Sequence, residues 1–384
     1  MNNKQSPAGN ILLVANWESN VGYAWILIEN FWITISRHFT QQGQQCYLVY
    51  PEITRIPEPI AESEIRVNEL DFRNRSHKNR HLLRQLVRRH NIRYIYLTDS
   101  PAYSTFYVQL RLWGIKRIVV HDHTPGERTK PSSWRSLLKK IIQRTPWITA
   151  DHFIAVTDFV YRRFIEVNCI PANKCTVAKN GIQPLDLTST STGYAHREFN
   201  IPLERQIVVT TGRASYYKGI DFIIKCIAEL VYNRKVTDLH FIYCGDGPDL
   251  NAFRELAGQL QVNDYLTFAG KRIDVRAILP TCDIGFHASR GEVGYSLSIL
   301  EYMSAGLATI VPDLPSTSQA IMHGENGLVF LHGDVSSACD MLQRCRSSAY
   351  REKLSKNAIS TVADHYNLEQ TNTSLIQILD GQFS

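Results

Sequence analysis

No long apolar run occurs in this sequence. Nowhere do its 384 residues approach the ~18 consecutive apolar positions of a spanning helix. The first ten residues, MNNKQSPAGN, lack a charged stretch leading into an apolar one. The run ILLVA at 11–15 is too short to supply it, so no secretory leader is expected. Eight cysteines are present, but no two form a CxxC pair and no Cys/His spacing fits zinc. Scattered thiols in a chain this long read as reduced, which points to the cytoplasm. Charged residues make up only 20% and hydrophobic ones 44%, which excludes a disordered, collagen-like or fibrous chain. At roughly 100–200 residues per domain, the length calls for two domains.

The net charge of +6 hides an asymmetry. Residues 1–192 carry 25 Lys and Arg against 15 Asp and Glu, whereas the remainder carries 17 against 21. A basic first half implies an anionic partner.

Short β-rich runs at 11–15, 46–50, 94–98, 116–120, 153–156 and 175–178 alternate with helical stretches at 24–42, 77–90, 101–113, 132–145 and 158–167. That order predicts a parallel sheet covered on both faces. The stretch QPLDLTSTSTGYAHRE at 183–198 has no apolar period and reads as an interdomain linker. The alternation then restarts, with strands at 207–211, 240–244, 266–269, 284–287 and 309–312. Helices at 218–233, 249–260, 273–279 and 296–305 separate them, and a helical region begins near 336. The fold class is therefore α/β: two Rossmann-like doubly wound domains, with ligands expected in a cleft at the carboxyl ends of their strands. We place the first domain at 1–185, the second at 186–366, and a helix at 367–384 that crosses back to the first.

Two features of the second half carry chemistry. Arg213 follows a strand directly, and Lys218 stands five residues on at a helix start, which together make a phosphate site. From 289 to 301 the chain reads SRGEVGYSLSILE, a glycine-containing loop running into a helix. The N–H groups of Tyr295, Ser296, Leu297 and Ser298 are helix-start donors. Glu301 lies about a turn and a half inside, with its side chain tilted back toward that start. Ribose hydroxyls would satisfy its carboxylate, so the pattern is a nucleotide-binding one. Neither Asp122 nor Asp246 has partner ligands in the sequence, and no metal site is expected.

The motifs GRASYYKG (212–219), YCGDGPDL (243–250), TFAGKR (267–272), SRGEVGYSLSILEYMSAGLATIVPD (289–313) and HGENGLVF (323–330) follow one another across about 120 residues. In order and spacing the second half closely resembles the family-4 glycosyltransferases of the two-domain, GT-B type. The first half resembles them through the triplet Val120-His121-Asp122 and the pair Asn180-Gly181. The resemblance implies that Arg213 and Lys218 hold the donor diphosphate and that Glu301 binds the ribose. It also implies that Phe268, Ala269 and Gly270 lie near the nucleobase and that His121 contacts the donor sugar. The donor substrate would be a nucleotide-diphosphate sugar, with no further cofactor, and the anomeric configuration would be retained.

One departure concerns the E-x7-E motif. Eight residues before Glu301 stands Val293, and the nearest acid is Glu292. Either the loop carries an extra residue and Glu292 is the acid beside the sugar, or the acid is lost and the chain is a degenerate member that binds nucleotide sugar or a partner. The spacing Ser289-x-x-Glu292 points to the first, and Glu292 is then a catalytic residue with His121. The loop 16–23, with Asn16 and Gly22, and the stretch from His123 to Arg128 are expected to face the acceptor, a saccharide or lipid-linked hydroxyl.

Residues 73–93 and 128–147 are basic with interleaved apolar positions, the second with Trp134 and Trp147. Both fit amphipathic helices that meet an anionic membrane surface, which would hold the protein peripherally on its inner face. No nucleic-acid motif accompanies the charge.

Overall fold

The computed structural model describes residues 9–22, 25–187 and 192–383. The leader reading, the first residue of the helix at 24–42, and residues 188–191 of the proposed linker lie outside these. Two compact units divide the chain: Met1–Thr124 with Arg128–Lys179 and Thr371–Ser384, and Pro125–Glu127 with Asn180–Gln370.

The first unit is built on a seven-stranded parallel sheet: β1 (Asn10–Val14), β2 (Cys46–Tyr50), β3 (Arg66–Glu69), β4 (Ile92–Thr98), β5 (Arg117–Asp122), β6 (His152–Ala155) and β7 (Cys175–Val177). Their order is β3-β2-β1-β4-β5-β6-β7, so the winding reverses between β1 and β4. Strands β1, β2 and β4 are almost continuously apolar because helices bury both faces of the sheet. The helices are α1 (Ile26–Gln41), α2 (Glu58–Ala61), α3 (His77–Arg89), α4 (Thr105–Trp113), α5 (Ser133–Gln143) and α6 (Asp158–Glu166).

In the second unit six parallel strands take the order β10-β9-β8-β11-β12-β13, with the reversal between β8 and β11. They are β8 (Gln206–Thr211), β9 (Leu239–Cys244), β10 (Leu266–Gly270), β11 (Ile284–Phe286), β12 (Ala308–Pro312) and β13 (Leu328–Phe330). The helices are α7 (Tyr194–Glu198), α8 (Ile220–Ala228), α9 (Leu250–Gln259), α10 (Val275–Ile278), α11 (Leu297–Ser304), α12 (Val335–Arg344) and α13 (Ser348–His365). The last helix, α14 (Leu368–Phe383), begins in the second unit and runs most of its length in the first. There Leu375, Leu379 and Phe383 are buried, with the Phe383 ring 5.0 Å from Tyr94 and 5.7 Å from Phe39.

Three readings need correction. The stretch at 183–198 is not all linker, because it holds α7. Ala195 of that helix is buried, its N–H donates to Thr281 Oγ1 at 3.1 Å, and the Tyr194 hydroxyl donates to Asp274. Strands β3 and β13 carry no strong apolar alternation and escaped the sequence reading; both are sheet edges, paired on one side only. The apolar stripe of α3 turns inward, with Leu83 and Val87 buried, so this basic helix packs on its own sheet.

Candidate active site

In a parallel sheet every strand delivers its following loop to the same edge, and the crevice opens where the winding reverses. In the second unit that place lies between the loops after β8 and β11. Two glycines allow close approaches here, one between these two loops and one between the loops after β8 and β9. Gly219, at φ +73°, begins α8 against the Ala288 carbonyl, where a Cβ would come within 2.0 Å of the oxygen. Gly245, after β9, leaves no room for a Cβ against the Gly212 carbonyl. The loop after β8 is stitched further by the Ala214 N–H to the Asp246 carbonyl at 2.9 Å and the Tyr216 N–H to Asp249 Oδ2 at 2.9 Å.

Lys218 and Glu292 meet in this crevice, Nζ to Oε1 at 2.5 Å. His287, at the end of β11, places Nε2 3.2 Å from the same oxygen. Burial pushes the Glu292 carboxyl up, but the Lys218 ammonium and the His287 hydrogen bond more than offset it and hold it down to about 2. Burial pushes His287 down, so it serves as a neutral donor to a standing carboxylate. Glu292 rather than Val293 thus presents an acid in this loop. Its carbonyl accepts from the Gly126 N–H at 3.0 Å.

Arg213 lies in the loop between β8 and Lys218, exposed, with no ion pair among the described residues. Tyr295 is buried, its hydroxyl donating to the Asn180 carbonyl at 2.9 Å. Ser296 caps α11 by accepting from the Ile299 N–H at 3.3 Å, which leaves the N–H groups of Leu297 and Ser298 directed out of the helix start. Glu301 is buried on α11. Phe268, Ala269 and Gly270 end the edge strand β10, two strands from β8, with Gly270 at φ +69° and Phe268 edge-on to Tyr243 at 6.1 Å. Arg213, Lys218, Glu292, Tyr295 and Ser296 lie in loops that leave the carboxyl ends of β8 and β11, and Gly270 ends β10 on the same edge of the sheet; Glu301 lies inside α11.

The first unit has its own polar edge at the β1/β4 reversal. The Asn16 amide donates to the Thr98 carbonyl, bridging the ends of those strands. His121, fully buried on β5, meets the Tyr96 hydroxyl at 2.5 Å through Nδ1, and its Nε2 has no partner among the described residues. Burial, with His123 adding to it, pushes His121 well down, so its ring is neutral. His123 lies 4.3 Å from His121 ring to ring, with Nδ1 3.9 Å from Asp99 Oδ1. Burial, and then the nearby Asp122, raises Asp99 to about 7. Gly22, at φ +94°, accepts from the Trp25 N–H at 3.0 Å in a turn before α1. Asp122 is engaged by the buried Arg163 at 3.2 Å, and among the described residues no group of three His, Cys, Asp or Glu is placed to hold a metal.

Sequence reasoning missed His287 and Asp99. Neither belongs to a spacing motif. Each matters through what the fold sets beside it.

Two Rossmann-like parallel sheets, each with polar residues at its winding reversal, define the GT-B architecture. The glycosyltransferase from Rickettsia africae ESF-5 superimposes over 99% of this chain and all of its own, with a TM-score of 0.80 at 15% identity. Anabaena HepE in complex with UDP superimposes over 97% of this chain and 100% of its own, at 0.75 and 16%. Residues 28–184 match the family described as Glycosyltransferase Family 4, and residues 205–347 match Glycosyl transferases group 1. The chain belongs to this glycosyltransferase family. Curated relatives include the N-acetyl-alpha-D-glucosaminyl L-malate synthase of Bacillus anthracis, 22% identical over 45% of each chain. The alpha-D-kanosaminyltransferase of Streptomyces kanamyceticus is 26% identical over 46% of this chain and 45% of its own. The chain thus spans about half the length of these relatives that it matches.

Proposed function

We propose that the protein transfers a sugar from a nucleotide-diphosphate donor to an acceptor hydroxyl, with retention, in polysaccharide or glycolipid assembly. The observation that carries this is the Lys218–Glu292 pair in the crevice between the loops after β8 and β11, with the start of α11 following in the same loop. HepE has also been solved with UDP-glucose, which supports a nucleotide sugar as the donor class.

In this reading negative charge grows on the departing diphosphate. Arg213, Lys218 and the N–H groups at the start of α11 stabilise it where it forms, and being already oriented they need no reorganisation. Glu292, kept ionised by Lys218 and His287, accepts hydrogen bonds from sugar hydroxyls, and Glu301 accepts them from the ribose. Phe268 to Gly270 lie along the base. From the first unit's edge, His121 is assigned to the sugar as a neutral hydrogen-bonding group, and Asn16, Gly22 and His123 to the acceptor. The residues named supply the charge stabilisation from the protein itself, without a metal. We place the protein in the cytoplasm, held peripherally on the membrane; among the described residues no helix is long and apolar enough to cross one.

A thermal-shift series with UDP, GDP, ADP and dTDP tests the site. One diphosphate raises the melting temperature, since a ligand at 100 times its dissociation constant adds about 2.7 kcal/mol. Arg213→Ala abolishes that shift without changing the ligand-free melt, because Arg213 is exposed. A shift that survives Arg213→Ala overturns the placement.

A further inference from the structure

Helix α5 is mounted with its faces reversed. An amphipathic helix on a globular domain ordinarily buries its apolar stripe. Here the polar stripe faces the protein. Gln143 is 1% exposed, the Lys139 ammonium donates to the Val167 carbonyl at 2.9 Å, and the Gln143 amide donates to the Asn168 carbonyl at 3.4 Å. The opposite stripe, Trp134, Leu137, Leu138 and Ile141, stands 65%, 62%, 50% and 59% exposed, and Trp147 beyond the helix is 53% exposed. Helix α3, also basic and amphipathic, does the reverse and buries Leu83 and Val87. Composition therefore does not distinguish the two helices, and mounting does.

Charge names the occupant. Between residues 128 and 150 the chain carries six Lys and Arg and no acidic residue. At 100° per residue, Arg135 falls on one side of the apolar stripe and Lys140 and Arg144 on the other. The Arg135 guanidinium lies 5.2 Å from the Trp134 ring, beside the stripe rather than across it. A second copy of the chain would bring the same cations against these, at a cost in repulsion. A surface that is fluid, apolar beneath and anionic above suits a convex helix with a cation-flanked apolar crest and an indole near each end.

We propose that α5 docks the protein on an anionic lipid bilayer, lying in the plane of the headgroups with Trp134, Leu137, Leu138 and Ile141 inserted. This assigns the peripheral attachment to α5 alone. It is independent of the transferase reading, because it is measured without donor or acceptor.

The test is co-sedimentation of the full chain with vesicles of equimolar phosphatidylcholine and phosphatidylglycerol, and with vesicles of phosphatidylcholine alone. The wild type binds the first and weakly the second. The triple change Trp134→Ser, Leu137→Ser, Ile141→Ser lowers partitioning at least tenfold while the melting temperature stays unchanged, since none of these side chains is buried. The triple change Arg135→Gln, Lys140→Gln, Arg144→Gln lowers binding to the anionic vesicles roughly a hundredfold, about fivefold per charge, with little effect on the neutral ones. The wild-type interaction weakens as salt is raised. Absence of binding to anionic vesicles, or equal binding by wild type and serine variant, overturns the proposal. So does light scattering that finds a dimer dissolved by the serine changes, which would give the face to a second copy.

Discussion

Glu292 shows how much a buried charge depends on one neighbour. It is almost wholly inaccessible, and what keeps it ionised is chiefly the Lys218 ammonium. The two substitutions are therefore unequal. Lys218→Ala strands a carboxylate in a low-dielectric place and costs about 3 kcal/mol of stability. Glu292→Gln keeps an acceptor for His287 and leaves a partly exposed lysine that water can solvate, at about 1 kcal/mol. Urea unfolding at neutral pH separates the two. The pH dependence follows in sign. The native carboxyl titrates near 2 against an ordinary 4.5, so the pair's stabilisation is complete above 4.5 and is lost as pH falls from 4.5 toward 2. In Lys218→Ala only His287 still opposes the burial that raises the carboxyl, so acid unfolding begins at a higher pH than in the wild type. The acid at 292 was legible as a residue type near the right place. Its ionised state was not, because Lys218 comes to it from a distant part of the chain and only the folded loop turns the nearby His287 onto the same oxygen.

Elements with one strong periodic face were readable, since burial of that face forces the pattern. Strands β1, β2, β4, β8 and β9 stand where apolar runs placed them. The edge strands β3 and β13 and the short α7 were not readable: they span four, three and five residues, too few to display a period. The join between β8 and α8 is the element on which the site depends. Gly219 is left-handed there and touches the Ala288 carbonyl, so Gly219→Ala adds backbone strain and a clash with rigid main chain together. It is expected to cost about 2 kcal/mol or more and to remove the diphosphate-induced shift, as read by thermal melts with and without nucleotide. A wild-type shift in that variant would show that the two loops need not be close.

At the scale of the molecule, α14 returns the chain to the unit in which it began. Its buried Leu375, Leu379 and Phe383 complete the first unit's core beside Phe39 and Tyr94. Ending the chain after Tyr366 removes three large side chains, each contributing about 2 kcal/mol. The first unit then loses stability while the second keeps its own. Hydrogen exchange should rise along α1 and β4 with β8 to β12 unchanged; uniform protection across both units would refute the division. The sequence by itself determined two α/β repeats and the motif residues of the second, because alternating apolar runs and glycine-bounded loops are local patterns. Tertiary structure alone decided that Glu292 is held by Lys218 and His287 and that α5, unlike α3, keeps its apolar face outward. Those outcomes depend on which neighbours a side chain meets: Lys218 reaches Glu292, and Val167 reaches α5, from distant parts of the chain, and His287 meets Glu292 only through the conformation of the loop between them, none of which a local pattern records.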